Sequence, residues 1–187
     1  MCSIEIERTN VIMFKDISIM GRVIYIIYVI ELYVKERDNN ADWNILLEAL
    51  WSFPKYEYID DYAYMVVECT PSCVLDERED FQTAEYFNVE KLCKLKKLYM
   101  ESPCTETVDY LMEQINHILG SNLYTSVKPP ESHSLKIVEE TYSYIEKLMG
   151  ENVPPIKPFE IYSIYEEQCW GDYSFGKKEL LERVKNC

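Results

Sequence analysis

The sequence predicts an all-α protein, in which residues 1–187 form a single domain folded as one compact multi-helix bundle of about seven helices. Three observations support this fold class. Apolar residues recur with helical spacing along much of the chain. Five glycines and eight prolines are too few for a turn-rich β protein. A length of 187 residues is typical of one domain, and no repeat or long low-complexity linker divides it.

The first helix is predicted to begin at a cap formed by Asp16 or Ser18 and to end near Arg37. Residues 23–30 are apolar on every side, which indicates a central, buried helix. Their β-branched side chains leave a strand over residues 23–34 as the alternative. Charged residues interrupt the wider apolar stretch, so we expect it to form core rather than a membrane span.

The second helix carries one apolar stripe. Its members follow the i, i+3, i+4, i+7, i+8 spacing of a buried face: Trp43, Leu46, Leu47, Leu50 and Trp51. Asn40 is expected to cap this helix, because its side chain can accept a hydrogen bond from a free first-turn amide. Pro54 then prevents the helix from continuing.

A third helix is expected to open at Asp60 or Asp61 and to end before Pro71, with Glu68 on its solvent side. Its other side chains are mostly apolar: Tyr64, Met65, Val66, Val67 and Cys69. Residues 72–82 are predicted to form an acidic loop that contains one short turn of helix.

The next two helices are predicted over residues 83–99 and 105–119. In the first, one side is apolar and the other carries lysines: Leu92, Leu95 and Tyr99 against Lys91, Lys94 and Lys97. In the second, six side chains face inward: Val108, Leu111, Met112, Ile115, Ile118 and Leu119. Gly120 is expected to cap this helix, since glycine accepts the left-handed conformation.

The last third of the chain alternates proline-marked loops with helices. Residues 121–130 form the clearest predicted loop. A helix follows over residues 134–149, closed by Gly150. Two shorter helices are predicted over residues 159–168 and 177–185.

The net charge of −14 is concentrated in the middle of the chain. Residues 1–37 carry five acids and five bases, residues 38–90 thirteen acids and two bases, and residues 91–187 fifteen acids and twelve bases. Phosphate binding needs Lys and Arg, so we expect no nucleic-acid partner. A basic protein would be attracted to the acidic surface, although the acids also serve solubility without any partner.

The residue patterns predict no catalytic, metal or cofactor site. His117 and His133 lack the i, i+4 spacing of zinc-binding histidines. Cys69 and Cys73 have that spacing, but Pro71 between them breaks a shared helical face. The seven cysteines include no CxxC pair, and the acidic first residues do not resemble a signal peptide, so a reduced, cytoplasmic chain is expected.

Residues 170–176 hold the densest cluster of Trp, Gly and aromatic residues. The spacing GxxxxGK occurs over residues 171–177, but Lys178 stands where a phosphate-binding loop needs Ser or Thr. Two interpretations of the cluster stay open. Trp170 plugs the end of the bundle while Asp172 caps a turn, or Trp170 and Tyr173 anchor a protein interface.

Four features are spread over roughly residues 43–173: Trp43 with Trp51-Ser52-Phe53, Asp60-Asp61 leading to Pro71, Glu85-Tyr86, and Trp170-Gly171. In these features the chain resembles a helical immunity protein of the bacterial polymorphic-toxin systems. The resemblance implies a cytoplasmic protein, without catalytic residues of its own, that binds and neutralises a cognate toxin, often a basic nuclease.

The predicted partner-binding residues combine the acids of the middle segment with the C-terminal aromatic cluster: Glu57, Asp60, Asp61, Asp76, Glu77, Glu79, Asp80, Trp170, Asp172 and Tyr173. Two other functions stay open. A helical adaptor would hold a peptide or partner helix in an apolar groove, and salt would hardly weaken that binding. An enzyme would need a reactive thiol of low pKa or an unrecognised carboxylate site.

Overall fold

The structure, a computed structural model, describes residues 14–53, 58–121, 133–162 and 176–186. The helices in these ranges are α1 (Ile19–Arg37), α2 (Asn44–Leu50), α3 (Ile59–Glu68), α4 (Pro71–Val74), α5 (Val89–Glu101), α6 (Thr105–Gly120), α7 (His133–Met149) and α8 (Lys177–Val184). Three 3₁₀ segments span Phe81–Thr83, Gly150–Asn152 and Lys157–Tyr162. The described residues are 75% helical and contain no β-strand, so the all-α fold class is confirmed.

Helix α1 is continuous from Ile19 to Arg37, so the alternative prediction of a strand over residues 23–34 is wrong. Of the two capping residues considered, Ser18 is the one that caps, because its Oγ accepts a hydrogen bond from the backbone N–H of Gly21 at 3.2 Å. Every residue from Ile19 to Ile30 is buried. The apolar run is therefore core, which overrides the modest β preference of its branched side chains.

Two helix starts differ from the sequence prediction. Asn40 lies in a turn, and Asp42 binds the first-turn amide of α2 instead, with its Oδ1 accepting from Asn44 N at 3.1 Å. The helix predicted from residue 83 begins only at Val89, where the side chain of Asn88 accepts from Lys91 N at 2.9 Å. Each region contains more than one residue of a type that caps helices. The spacing of apolar residues does not predict which of them lies at the helix start.

The predicted glycine caps have opposite outcomes. Gly120 is the last residue of α6 itself and has no positive φ, so its prediction as a left-handed cap is wrong. Gly150 directly follows α7 and has a φ of +57°, the left-handed conformation that closes a helix.

The described residues group into two compact units, one formed by Met1–Tyr25 with His117–Cys187 and the other by Ile26–Asn116. Helices α1 and α6 contribute residues to both units. Whether the chain behaves as a single domain stays a prediction.

The first unit is built around buried aromatic rings. The rings of Phe14 and Phe159 contact that of Tyr25 edge-on, with centroid separations of 5.1 and 5.0 Å. The Tyr25 hydroxyl donates to the carbonyl oxygen of Pro154 at 3.1 Å. Arg22 is buried here as well, and its Nη1 donates to Ser134 Oγ at 2.7 Å. The polar ends of large side chains are thus bonded inside the apolar core.

The second unit packs α2, α3, α4 and α5 in sequence, with α2 also against α5. The stripe predicted for α2 is confirmed, because Trp43, Leu46, Leu47, Leu50 and Trp51 are all buried. The buried carboxylate of Glu31 pairs with Lys35 and accepts from Trp51 Nε1 at 2.6 Å. Two tyrosine hydroxyls bind helix-end carbonyls, Tyr62 that of Leu50 at 2.9 Å and Tyr99 that of Cys69 at 2.7 Å. These bonds join the ends of α2 and α3 to neighbouring helices.

Candidate functional site

The second unit holds most of the charge excess. Ile26–Asn116 carries nineteen acids and eight bases, a net charge of −11 out of the −14 of the whole chain. Six of the ten predicted partner-binding residues lie in its described part: Asp60, Asp61, Asp76, Glu77, Glu79 and Asp80. The other four, Glu57, Trp170, Asp172 and Tyr173, lie outside the described residues.

Asp76 already has a cationic partner within the loop. Both its oxygens face the Arg78 guanidinium, with Arg78 Nε 3.0 Å from Oδ1 and Nη2 2.6 Å from Oδ2. The backbone N–H of Arg78 donates to the same carboxylate at 2.9 Å. These bonds lower the pKa of Asp76 to about 2. Asp76 therefore shapes the loop and is a poor candidate for contacting a partner.

The other three acids of the loop divide by role. Asp80 caps the 3₁₀ segment Phe81–Thr83, since its Oδ1 accepts from Gln82 N at 3.0 Å. Glu77 and Glu79 are exposed, and neither forms an ion pair with any described residue. The carboxylates of Glu77 and Glu79 are thus the ones available to a basic partner.

Helix α3 presents acids and apolar side chains together. Its buried side carries Tyr62, Met65 and Val66. On the other side, Tyr64 is 61% exposed and Val67 is 47% exposed. Helical spacing places Asp60 and Asp61 of the first turn next to Tyr64. We call Asp60, Asp61, Tyr64 and Val67 the α3 surface.

Glu68 connects the end of α3 to a distant segment. Its Oε2 accepts from the backbone N–H of Glu85 at 2.7 Å, and its Oε1 accepts from those of Tyr86 and Phe87 at 3.0 and 2.8 Å. Glu68, predicted on the solvent side of the helix, is partly exposed, and its carboxylate also binds three backbone amides. These bonds fix the approach of the chain to Asn88 and α5.

A small cleft lies beside this connection. Its lining combines acids, a thiol, a hydroxyl and apolar groups: Glu68, Cys73, Glu79, Asp80, Phe81, Thr83, Ala84 and Leu92. The cavity volume is about 110 Å³. We call it the acidic cleft. Tyr64 lies one helical turn before Glu68, so the α3 surface leads to the wall of the cleft.

Four lysines of α5 offset part of this charge. Lys94 pairs with Glu90 at 2.7 Å, and Lys96 Nζ lies 5.6 Å from the ring centroid of Phe81. Lys91 and Lys97 are exposed, as predicted. The lysines of α5 therefore offset negative charge next to α3 and the loop that follows it.

The four cysteines within the described residues show no reactive pattern. Cys69 and Cys104 are buried, Cys73 is half-buried and Cys93 is exposed, and all four are unpaired. Burial raises the pKa of the Cys69 and Cys73 thiols, which disfavours the thiolate. Within the described residues, no group of three or more His, Cys, Asp or Glu side chains is arranged to hold a metal ion.

Sequence reasoning missed the exposed aromatic and aliphatic side chains. Tyr62, Met65, Val66 and Cys69 follow the i, i+3, i+4, i+7 spacing of one buried face, and Tyr64 and Val67 fall outside it. This spacing can be read from the sequence, and it predicts that Tyr64 and Val67 are exposed. Tyr58, just before α3, is also 60% exposed.

No protein-family model, curated protein or solved structure gives a significant match to this chain. No helix in the described parts of the chain is both long enough and apolar enough to span a membrane.

Proposed function

We propose that the chain is a cytoplasmic immunity-type inhibitor, which binds a basic toxin protein and covers its cationic surface. The observation that carries the proposal is the α3 surface, where carboxylates that form no ion pair with a described residue adjoin exposed Tyr64 and Val67. Tyrosine anchors interfaces, and surrounding carboxylates steer a basic partner into place. The unpaired thiols agree with a reducing compartment.

The alternative, an adaptor that binds a partner through apolar contacts, is favoured by the same exposed side chains. The two functions differ in salt dependence. Charge-steered association slows steeply as salt rises, whereas an apolar contact is nearly indifferent to salt.

The test starts from co-expression of the chain with the product of the adjacent upstream reading frame and native mass spectrometry of the purified material. We expect a complex that dissociates as salt rises. Association kinetics of the purified pair would then be compared for the native chain and for a triple variant, Asp61→Asn, Glu77→Gln and Glu79→Gln. At low salt we expect the association rate constant of the variant to fall roughly tenfold.

The control variant changes the same net charge elsewhere. Glu48, Glu101 and Glu113 are exposed acids of the same unit that lie on α2, α5 and α6. Their replacement by Gln should slow association much less than the first variant does. Equal slowing by both variants would mean that overall charge, not the α3 surface and loop, attracts the partner. Absence of a complex with either neighbouring product would contradict the proposal.

A further inference from the structure

The acidic cleft has room for part of one side chain. Its volume of about 110 Å³ is below the roughly 150 Å³ of a cavity that accepts benzene. Pockets that hold drug-sized ligands measure about 300–1,000 Å³. The size of the cleft therefore matches the end of a single long side chain inserted from a partner.

The lining determines the chemistry of that side chain. Phe81, Ala84 and Leu92 supply apolar wall, while Glu68, Glu79 and Asp80 supply three carboxylates. No lysine or arginine in the described residues forms an ion pair with these carboxylates. An occupant that matches both parts of the lining has an apolar stem and a cationic end, as Lys and Arg have.

The chemistry of the lining favours arginine over lysine. Phe81 supplies an aromatic ring, although Lys96 Nζ already lies 5.6 Å from its centroid. A guanidinium group stacks on such a ring and also donates paired hydrogen bonds to carboxylates, which a single ammonium group does less well.

The cleft is also prepared for a cation before a partner arrives. Three backbone amides hold the Glu68 carboxylate, and the capping bond to Gln82 N holds that of Asp80. The pKa of the Cys73 thiol is raised first by burial and then by the negative charges of Glu79, Glu68 and Asp76. Burial disfavours a charge of either sign, but the contribution of the three carboxylates disfavours only an anion and favours a positive charge.

We propose that the acidic cleft binds one arginine side chain of the protein partner. The inference rests on the proposed function for its biological setting, but the chemistry of the cleft can be tested without the partner. In the complex, this arginine would dock next to the α3 surface.

The probes are N-acetyl-arginine amide, its lysine counterpart and its citrulline counterpart, which has the shape of arginine without the charge. Each is titrated into ¹⁵N-labelled full-length protein at millimolar concentration and followed by NMR. We expect saturable shifts of the backbone amides of residues 79–84 with the arginine compound, a weaker response to lysine and none to citrulline. Equal responses to arginine and citrulline would overturn the inference.

Glu79→Gln supplies the matched variant, and Glu77→Gln its control. Both residues are exposed and lose the same charge, but only Glu79 lines the cleft. Glu79→Gln should raise the dissociation constant of the arginine compound about three- to tenfold, and Glu77→Gln should leave it nearly unchanged. Equal effects of the two variants would overturn the inference, because long-range charge would then explain the binding.

The two proposals fail separately. If the arginine compound binds but no partner complex forms, the proposal for the acidic cleft stands and the proposed inhibitor function is contradicted. If a salt-sensitive partner complex forms and Glu79→Gln leaves it unaffected, the proposed inhibitor function stands. The proposal that the acidic cleft binds an arginine of the partner is then contradicted.

Discussion

Individual carboxylates of the acidic loop differ in what they already bind. Asp76 holds Arg78, and Asp80 caps a 3₁₀ segment. Glu77 and Glu79 have no such internal role in the described residues. Glu77 and Glu79 are therefore the loop carboxylates without an internal role among the described residues, while Asp76 and Asp80 also keep the loop in shape.

The contact between Asp76 and Arg78 predicts a measurable titration. The pKa of Asp76 is lowered to about 2, whereas an unfolded aspartate titrates near 3.9. The folded state thus favours the charged carboxylate, so its contribution to stability is present above about pH 4 and is lost as the pH falls towards 2. NMR of the Asp76 side-chain carboxyl against pH should give the low value.

Arg78→Gln provides the comparison. Without the guanidinium, the pKa of Asp76 should move up towards the ordinary aspartate value. If the midpoint of the titration does not move, Arg78 is not the cause of the lowered pKa.

Substitution of Glu68 is expected to lower the stability of the fold. Glu68→Gln replaces a carboxylate that accepts from three backbone amides with a neutral group that has one accepting oxygen. We expect the free energy of unfolding to fall by about 1–3 kcal/mol in urea titration. Glu85→Gln, at an exposed side chain of the same segment, should have little effect. Equal stabilities of the two variants would contradict a structural role for the Glu68 carboxylate.

At the scale of the helices, close packing near the start of α1 depends on a glycine. A Cβ added at Gly21 would lie 2.4 Å from Ile17 Cγ2 and 2.7 Å from Tyr162 Cβ, both of which belong to buried side chains. Neither atom is the free end of a flexible side chain. The helix therefore has no room for alanine at this position, although alanine is the better helix former.

We expect Gly21→Ala to lower the free energy of unfolding by about 1–3 kcal/mol, because overpacking outweighs helix propensity. Gly120→Ala is the matched control, since Gly120 is also helical and a Cβ there would meet no atom within 4 Å. That variant should be unchanged or more stable by up to about 1 kcal/mol. Thermal or urea unfolding of the two variants would show opposite signs; a common sign would refute the packing argument.

Elements were predictable where one apolar face dominates. The α2 stripe from Trp43 to Trp51 and the short helix α8 both lie where helical spacing placed them. Helix starts were less predictable, because capping depends on the path of the preceding chain. Asn40 and Asp42 are equally suited to bind a first-turn amide, and only Asp42, which follows the turn at residues 39–40, does so.

The candidate site was predictable only in part. Charge density located the acidic loop, but could not separate Glu79 from Asp76, because the distinction depends on whether Arg78 folds back. The role of Glu68 depends on amides that lie seventeen to nineteen residues later in the chain. No local pattern contains such a contact.

At the scale of the whole molecule, most of the charge excess is a property of one unit, Ile26–Asn116, with a net charge of −11. Like charges on a compact surface repel one another and oppose folding. A surface rich in acids therefore reduces the free energy of unfolding.

This balance gives a prediction about salt. The triple variant Asp61→Asn, Glu77→Gln and Glu79→Gln should unfold at a higher urea concentration than the native chain in about 20 mM NaCl, because three repelling charges are removed. In about 500 mM NaCl, where screening weakens the repulsion, the difference should shrink. A variant that is less stable than the native chain at both concentrations would mean that these carboxylates support the fold.

The contacts of Glu68 also limit which positions of the acidic surface can be substituted. The residue belongs both to the wall of the acidic cleft and to the backbone connection before α5. Asp61, Tyr64, Glu77 and Glu79 can be substituted one at a time when the surface adapts to a different target. In the described part of the chain, none of these side chains forms a hydrogen bond that fixes the backbone of a distant segment. Glu68 cannot be substituted in the same way, because its carboxylate binds three backbone amides. Under the proposed function, the Glu68 carboxylate is therefore the part of the acidic cleft that would be inherited, while the surrounding positions diversify.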